Sequence, residues 1–262
     1  MKDDRIDKGR EFDWGRTSED YAIYRDIYPS SFYEKLLGLD IGVKSQRILD
    51  LGTGTGVLPR NMYKYGAEYV GTDISPEQID KARKISIANG IDIAWKACPA
   101  EQTGYEDNSF DVITAAQCFQ YFNYNILIPE IIRMLKPSGA LAILFMSWLP
   151  FEDEIAKQSE ELVLKYNPQW QGSNYKRDDF LIPEWAKGKF EITTFYAYDE
   201  LIPFTRETWN GRMRACRGIG ASLPEDAVRN FNLEHLNLLS GIAPEKFSVL
   251  HEITFKIFKV LK

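Results

Sequence analysis

A glycine-rich segment constrains the fold of this 262-residue chain more strongly than any other feature. The apolar run Arg47–Leu51 predicts a strand and Gly56–Tyr65 predicts a helix, and the residues that join them read Asp-Leu-Gly-Thr-Gly-Thr-Gly at 50–56. Glycines at a strand-to-helix turn let the backbone bend tightly and approach a ligand with no side chain in the way. In an open α/β sheet, ligands bind beyond the carboxyl ends of the strands. The segment therefore predicts a ligand-binding turn.

An acidic residue at the end of the next predicted strand indicates what the ligand contains. Asp73 follows Tyr69–Thr72, and a carboxylate in this place can accept hydrogen bonds from both hydroxyls of a ribose. The glycine spacing is GxGxG rather than the GxGxxG of dinucleotide sites, where helix N–H groups bind a pyrophosphate. We therefore predict a ribose-containing ligand without a pyrophosphate. The alternative is a plain tight turn followed by a helix-capping aspartate.

Strands alternate with helices through the first part of the chain, which is typical of βαβ units and a parallel sheet. The alternation stops after Pro150, and two more strands are predicted beyond it. We predict an α/β fold with a doubly wound, Rossmann-like, mostly parallel seven-stranded sheet and helices on both faces. An N-terminal helical cap and a helical or loop cap inserted after the fifth strand complete the fold. The predicted strands are Arg47–Leu51, Tyr69–Thr72, Ile91–Cys98, Phe110–Ala115, Ala140–Met146, Phe190–Tyr198 and Phe247–Leu261, and Lys136–Gly139 is a predicted turn.

Composition argues against several classes of partner. The net charge is −6 and no basic stripe is present, so a nucleic-acid partner is not expected. Cys98, Cys118 and Cys216 lie far apart without the Cys/His spacing of a metal site, so neither a disulfide framework nor a bound metal is expected. The charged N-terminus has no apolar secretory region, and the apolar runs are too short to span a bilayer. We expect a cytoplasmic protein without a membrane partner.

Five segments of the chain resemble one known family. They are RILDLGTGTGVL at 47–58, GTDIS at 71–75, AEQ at 100–102, SFDVITAAQCFQYF at 109–122 and LKPSGALAIL at 135–144. Over residues 46–146 the chain resembles the class I S-adenosylmethionine-dependent methyltransferases. YAIYRDIYP at 21–29 and AAQCFQYF at 115–122 look most similar to the trans-aconitate methyltransferase-like branch of small-molecule enzymes.

The resemblance implies an enzyme that transfers a methyl group from S-adenosylmethionine to a small molecule. It also implies an N-terminal helical cap at 1–45, a cofactor-binding core at 46–146, and an acceptor-side cap that completes the sheet at 147–262, all within one structural domain. Two other functions stay open. One is a cofactor-binding regulatory protein without turnover. The other is an NAD(P)-dependent oxidoreductase, which would need a pyrophosphate-binding turn.

The resemblance further implies a cofactor site along the glycine turn and at the ends of the following strands. Asp73 would bind the ribose, and Glu101 would lie near the adenine amino group. Tyr21 and Arg25 would close the site from the N-terminal helix, with Arg25 paired to the methionine carboxylate. The alternative for this helix is an ordinary aromatic core face with a surface arginine. The implied cofactor-binding residues are Tyr21, Arg25, Asp50, Gly52, Thr53, Gly54, Gly56, Asp73, Ile74, Ala100, Glu101 and Gln117.

Methyl transfer from a sulfonium is an in-line displacement, so the main task is to hold the nucleophile in line with the S–CH₃ bond. A general base is needed only if the acceptor is protonated. Gln117, Gln120 and Tyr121 are predicted to position the acceptor. The resembled enzymes commonly carry His-Trp where this chain has Gln120-Tyr121, so no histidine base is predicted there. His251 is predicted to be a core residue of the last strand.

Two arginines after the fifth strand suggest the charge of the acceptor. Arg214 and Arg217 are three residues apart on a predicted helix, so they share a face and together could bind a carboxylate. With Trp209 they are the predicted substrate residues. The alternative is a solvated basic face that balances nearby acids. We therefore predict O-methylation of an anionic or carboxylate acceptor, while the identity of the acceptor and the oligomeric state stay open.

Overall fold

The computed structural model describes residues 2–261, so the first and last positions of the predicted segments 1–45 and 147–262 lie outside the described residues. Seven strands form one sheet in the order β3-β2-β1-β4-β5-β7-β6. The pairs β1–β2, β2–β3, β1–β4 and β4–β5 are parallel. The predicted seven-stranded, mostly parallel, Rossmann-like sheet is confirmed. The strands are β1 Arg47–Leu51, β2 Glu68–Asp73, β3 Ala94–Ala97, β4 Phe110–Ala116, β5 Leu135–Trp148, β6 Phe190–Thr205 and β7 Lys246–Val260.

Local sequence signals set the helix ends. The helix after β2 begins at Pro76, which suits the first helical position, and the Ser75 hydroxyl accepts a hydrogen bond from the Gln78 N–H, as expected of a helix cap. The helices are α1 Ser18–Tyr24, α2 Ser30–Gly38, α3 Val57–Met62, α4 Pro76–Ala88, α5 Tyr124–Met134, α6 Glu154–Tyr166, α7 Arg206–Arg214 and α8 Glu225–Ile242. No helix within residues 2–261 combines the length and the apolar character needed to cross a membrane.

The predicted start of the third strand at Ile91 is wrong, because β3 begins at Ala94. Two other strands, β5 and β6, extend at least five residues beyond a predicted end, and each contains a proline. The predicted turn Lys136–Gly139 is wrong because β5 begins at Leu135 and includes Pro137 beside a register irregularity. The predicted end of β6 at Tyr198 is also wrong, because the strand continues through Pro203 to Thr205. Strands tolerate proline at bulges and at the edge of a sheet, and β6 is an edge strand. Prolines that predict breaks are therefore accommodated here by strand irregularity and edge position.

The chain packs into two compact units. We call the first the helical unit, formed by the chain up to Ile27, Ser147–Arg177 and Asp199–Glu252. The second is the sheet unit, formed by Tyr28–Met146, Asp178–Tyr198 and the chain from Ile253 onward. The predicted N-terminal segment 1–45 therefore contributes to both units.

Side-chain packing explains why that segment divides near Tyr28. In the helical unit the Asp13 N–H donates to the Ala221 carbonyl oxygen. In the sheet unit the Tyr28 ring stacks on Phe32 with ring centres 4.3 Å apart, and Phe32 contacts Phe255 edge-on. Each part of the segment is therefore held by contacts within its own unit.

The core of the sheet unit positions the end of β1. Leu49 and Ile113 on neighbouring strands are fully buried, and Leu127 and Ile131 of α5 join the same cluster. Continuous burial along a strand is typical of a parallel sheet that is covered on both faces. The strand order reverses between β1 and β4, which is the switch point where ligands bind in open α/β sheets.

Candidate functional site

The glycine turn after β1 has a backbone that favours glycine at three positions. Gly52, Gly54 and Gly56 have φ angles of 61°, 58° and 76°, which other residues rarely adopt. The Gly54 N–H donates to Oδ2 of Asp73 at 2.9 Å. The turn that follows β1 is therefore fixed directly to the acid that ends β2.

Neighbouring side chains also exclude substituents from the turn. A Cβ on Gly56 would lie 2.3 Å from the Trp95 ring, and a Cβ on Gly71 would lie equally close to it. A Cβ on Gly52 would lie 2.7 Å from Cys118 Sγ. The contact of Trp95 with the turn was not predicted from the sequence. The signal that could have found this packing is Gly71, since a glycine inside a strand often marks a close approach.

Asp73 has both carboxylate oxygens engaged by the backbone. Oδ2 accepts from the Gly54 N–H and Oδ1 from the Ser75 N–H, each at 2.9 Å. Burial raises the pKa of Asp73, and these N–H groups oppose that rise. The Ile74 N–H also opposes the rise, and the side chain is only partly buried. This geometry is compatible with two ribose hydroxyls, and ribose binding stays a prediction.

Asp50 is buried beside the turn, with an exposed fraction of 2 %. Its Oδ1 accepts from the Thr114 hydroxyl and its Oδ2 from the Thr53 hydroxyl, each at 2.6 Å. Burial raises its pKa to about 6, against the opposing effect of these hydroxyl donors. Asp50 therefore holds the turn through Thr53 and links it to β4. The cofactor-binding roles of Asp50 and Thr53 stay predictions.

We expect the contribution of Asp50 to stability to decrease as the pH rises from about 4 to about 6. The folded chain binds the Asp50 proton more tightly than the unfolded chain, so the stabilising contribution is present at low pH and is lost through the folded pKa. The unfolding free energy of the wild type minus that of Asp50→Asn should fall by about 2–3 kcal/mol between about pH 4 and pH 7. Urea denaturation across this range measures it, with the exposed Asp92→Asn as control. A constant difference would contradict the expectation.

Gln117, at the end of β4, has an unusual backbone conformation. Its φ is 66°, and non-glycine residues in this region are often found at functional sites. Its side-chain amide donates to the Met146 carbonyl oxygen at 2.6 Å. The Gln120 amide in turn donates to the Gln117 carbonyl oxygen at 3.1 Å, and Tyr121 is half-buried nearby in the chain. The structure thus brings Gln117 and Gln120 into contact, and their acceptor-positioning role stays a prediction.

The residues predicted to surround an adenine lie after β2 and β3. Ile74 follows Asp73 directly and is 49 % exposed, which is high for a large apolar side chain. Ala100 is buried, and the Glu101 carboxylate accepts from the Asn123 N–H at 2.8 Å. An exposed apolar side chain beside the acid offers a surface on which a flat ring can pack.

The other predicted site residues belong to the helical unit. The Arg25 guanidinium lies 4.8 Å from the centre of the Tyr21 ring. Trp209 is fully buried and its indole N–H donates to Ser159 Oγ at 2.9 Å. The predicted closure of the cofactor site by Tyr21 and Arg25 stays a prediction.

Arg214 and Arg217, the predicted substrate arginines, each pair with an aspartate. Nε and Nη2 of Arg214 donate to the two oxygens of Asp20, both at 2.6 Å. Nε and Nη2 of Arg217 donate to Asp7 at 2.6 and 2.9 Å. Bidentate pairs of this kind are among the strongest protein hydrogen bonds. Both guanidinium groups are therefore engaged within the protein, and a role in acceptor binding stays a prediction.

Arg212 was not predicted as a site residue, and at 4 % exposed it is more buried than Arg214 or Arg217. Burial and then the charge of Arg25 lower its pKa to about 10. Trp209, Arg212 and Cys216 recur at helical spacing, which could have indicated that Arg212 lies on the apolar face of α7.

Comparison with known proteins identifies the central segment. Residues 49–143 match a family described as a methyltransferase domain. The chain is 36 % identical over 102 residues to demethylmenaquinone methyltransferase of Thermus thermophilus, covering 38 % of this chain and 46 % of the relative. It is 29 % identical over 170 residues to a ubiquinone biosynthesis O-methyltransferase of Bartonella tribocorum, covering 63 % and 67 %.

Solved structures extend the similarity of fold beyond that segment. The YcgJ protein of Bacillus subtilis superimposes with a TM-score of 0.53 at 18 % identity, covering 88 % of this chain and 100 % of that one. At this identity the likeness shows the fold alone. The chain spans about half the length of the curated relatives it matches first, 54 % and 46 % for two of them. The similarity to the trans-aconitate methyltransferase-like branch stays a prediction.

Proposed function

We propose that this chain, which contains a class I methyltransferase domain with a Rossmann-like fold, transfers a methyl group from S-adenosylmethionine to a small molecule. One observation carries the proposal beyond the fold. The Gly54 N–H donates to Asp73 Oδ2, so a turn free of side chains and a partly exposed carboxylate form one structure. This arrangement can bind an amino-acid tail and a ribose together, which suits this cofactor.

The chemistry of the donor set fits S-adenosylmethionine. When bound, this cofactor supplies a methyl group activated by the positive charge of its sulfonium. Asp73, whose side chain is only partly buried, would accept from the ribose hydroxyls. Ile74 would pack on the adenine, and Glu101 would lie at its edge. Gly52 and Gly54 would approach the methionine part, since no Cβ keeps a ligand away from them.

For the acceptor, we propose an anionic oxygen nucleophile such as a carboxylate. Gln117 has its side chain fixed at Met146, and Gln120 is exposed with its amide directed to Gln117. Amide groups can orient an acceptor but cannot take its proton at neutral pH. An ionised carboxylate needs no base. Such an acceptor therefore suits a site whose predicted positioning residues are Gln117, Gln120 and Tyr121. Orientation is then the main contribution of the protein to the rate.

We expect Asp73→Ala to weaken binding of S-adenosylhomocysteine ~30- to 150-fold, since truncating the acceptor of a charged hydrogen bond costs ~2–3 kcal/mol. Isothermal titration calorimetry measures this loss. Asp80→Ala removes an exposed carboxylate from α4 and should bind normally. Asp73→Asn keeps one oxygen and should fall between the two. Wild-type affinity in Asp73→Ala would exclude this cofactor site.

The competing functions give different results in the same assays. An oxidoreductase would bind NADH in preference to S-adenosylhomocysteine. A regulatory protein would bind S-adenosylhomocysteine but would not consume S-adenosylmethionine when small-molecule extracts are added. Formation of S-adenosylhomocysteine that depends on an added acceptor is the result expected of the proposed enzyme.

A further inference from the structure

A buried cluster in the helical unit contains a cation and a base that the protein leaves without full partners. Arg212 of α7 has its guanidinium carbon 4.9 Å from the centre of the Trp148 ring. His251 of β7 contacts Trp148 and Trp209 edge-on, with ring centres 6.4 and 6.3 Å away. All four side chains are at most 5 % exposed. We call these four residues the Arg212 cluster.

Arg212 differs from Arg214 and Arg217 because it has no acidic ion-pair partner among the described residues. Arg214 pairs with Asp20 and Arg217 with Asp7. Within the described part of the chain, Arg212 forms no ion pair, its Nη1 donates only to Cys216 Sγ at 3.2 Å, and its Nε has no hydrogen-bond partner. A buried cation without a counter-charge is costly, so this position favours an anion from outside the chain.

The other buried acids of the helical unit are engaged elsewhere. Glu160 accepts from the Trp148 indole N–H and from the Asn174 N–H at 2.8 Å. Glu252 accepts from the Tyr175 hydroxyl at 2.8 Å and lies 3.6 Å from Arg177. Because both carboxylates already have partners, neither of them is free to balance the positive charge of Arg212.

His251 presents a hydrogen-bond acceptor in the same cluster. Its Nδ1 lies 2.9 Å from the Val249 carbonyl oxygen, which can only accept, so Nδ1 carries the proton. Burial, with the charges of Arg212 and Arg25, lowers the pKa of His251 to about 3, so the ring is neutral. Nε2 then carries a lone pair, and it is buried without a hydrogen-bond partner.

Hydrogen bonds fix the side chains around the Arg212 cluster. Loose packing therefore does not explain why Arg212 Nε and His251 Nε2 have no hydrogen-bond partner. The Trp148 indole N–H donates to Glu160, and the Trp209 indole N–H donates to Ser159. Ser159 also hydrogen-bonds to Nε2 of His235, at 3.0 Å. Buried polar groups in proteins are nearly always hydrogen-bonded. Arg212 Nε and His251 Nε2 are two of eight buried side-chain atoms without a partner among the described residues. These two belong to one fixed cluster and include a cation, which points to a ligand that supplies both partners.

We propose that the Arg212 cluster binds a small hydroxycarboxylate, with its carboxylate on Arg212 and its hydroxyl donating to Nε2 of His251. A carboxylate supplies the missing negative charge, and a hydroxyl supplies the missing donor. A neutral molecule would leave Arg212 unpaired, and a simple carboxylate would leave His251 unpaired. The binding of this ligand within the helical unit does not rest on the proposed function.

Glycolate, acetate and acetamide are the probes that test the proposal. The Nε–H signal of Arg212 in ¹H–¹⁵N spectra, assigned by its loss in Arg212→Met, should shift saturably with glycolate. Acetate should bind more weakly, and acetamide should not bind. Arg212→Met should lower the affinity for glycolate ~10-fold or more. Arg229→Met, which changes an exposed arginine of α8, should leave that affinity unchanged. His251→Phe keeps the ring shape and should make glycolate no better than acetate.

Several outcomes would overturn the proposal. One is an Arg212 signal that glycolate does not move in the wild type, which would leave the cluster filled by water alone. Equal glycolate binding in wild type and Arg212→Met is another. If Arg212→Met does not fold, Arg212→Lys, which keeps the positive charge but has no guanidinium Nε–H, assigns the signal, and the wild-type titrations with glycolate and acetamide then decide. A signal that moves only with S-adenosylhomocysteine would assign Arg212 to the cofactor. Tight binding of S-adenosylhomocysteine without binding of glycolate would contradict this inference and leave the proposed function intact. Binding of glycolate without binding of S-adenosylhomocysteine would contradict the proposed function and leave this inference intact.

Discussion

Replacing Asp7 with alanine is expected to lower the free energy of unfolding by about 3–5 kcal/mol, the usual cost of leaving a buried ionic partner uncompensated. Asp7 is fully buried and makes a bidentate pair with Arg217, whose side chain is 9 % exposed. The Asp7 carboxylate also accepts from the Gln171 N–H at 2.8 Å. Urea denaturation followed by circular dichroism measures the loss.

Controls separate the buried pair from a general effect of charge. The Arg229–Glu225 pair on α8 is exposed, so Glu225→Ala should change stability little. The double variant Asp7→Ala/Arg217→Met should recover part of the loss, because no unpaired charge remains. A loss below about 1 kcal/mol for Asp7→Ala would contradict the structural role of the pair. Arg217→Met with wild-type stability but a raised KM for the acceptor would instead support the predicted substrate role.

The fold could be predicted because its signals are local. The order of strand, glycine turn, helix, strand and acid from Arg47 to Asp73 determines a parallel unit within a short stretch of sequence. The largest errors in strand bounds lie in β5 and β6, which contain Pro137 and Pro203. Whether a proline interrupts a strand depends on its neighbours in the sheet, and those neighbours are set by the complete topology.

The glycine turn and the acid after β2 were predicted in outline, since Asp73 and Gly54 are joined as their order in the sequence suggests. Their role in cofactor binding stays a prediction. Its supporting contacts were not. Trp95 packs on the turn from β3, and Thr114 reaches Asp50 from β4. These contacts depend on strand register, which the periodicity of a single sequence does not give.

The arginines show why the acceptor half was harder to predict. The sequence does not distinguish the chemistry of Arg212, Arg214 and Arg217. Helical spacing alone favours Arg214 and Arg217 as a pair, because they are three residues apart. They differ in their partners, because Asp20 and Asp7 come from the opposite end of the chain, 194 and 210 residues away. Long-range pairing of this kind decides which arginine has no acidic partner within the chain. The local sequence around the arginines does not predict this pairing.

Replacing Gly54 with valine is expected to abolish cofactor binding while the protein still folds. The φ of 58° is unfavourable for a β-branched residue, at a cost of ~1–3 kcal/mol. Relief of that strain would move the Gly54 N–H away from Asp73. Because the same N–H fixes the turn, we expect affinity for S-adenosylhomocysteine to fall by more than ~100-fold, equivalent to ~2.7 kcal/mol.

Gly90 provides a matched control for this substitution. Its φ is 64°, close to that of Gly54, and a Cβ there would meet no heavy atom within 4 Å. Gly90→Val should therefore carry a similar backbone strain, seen as a similar decrease in the melting temperature, but should bind S-adenosylhomocysteine normally by calorimetry. Equal affinity in the two variants would mean that the turn after β1 serves only to connect β1 to α3. A loss confined to Gly54→Val would mean that the turn binds the cofactor, because the φ angles at the two positions are similar and only one of them lies in the turn.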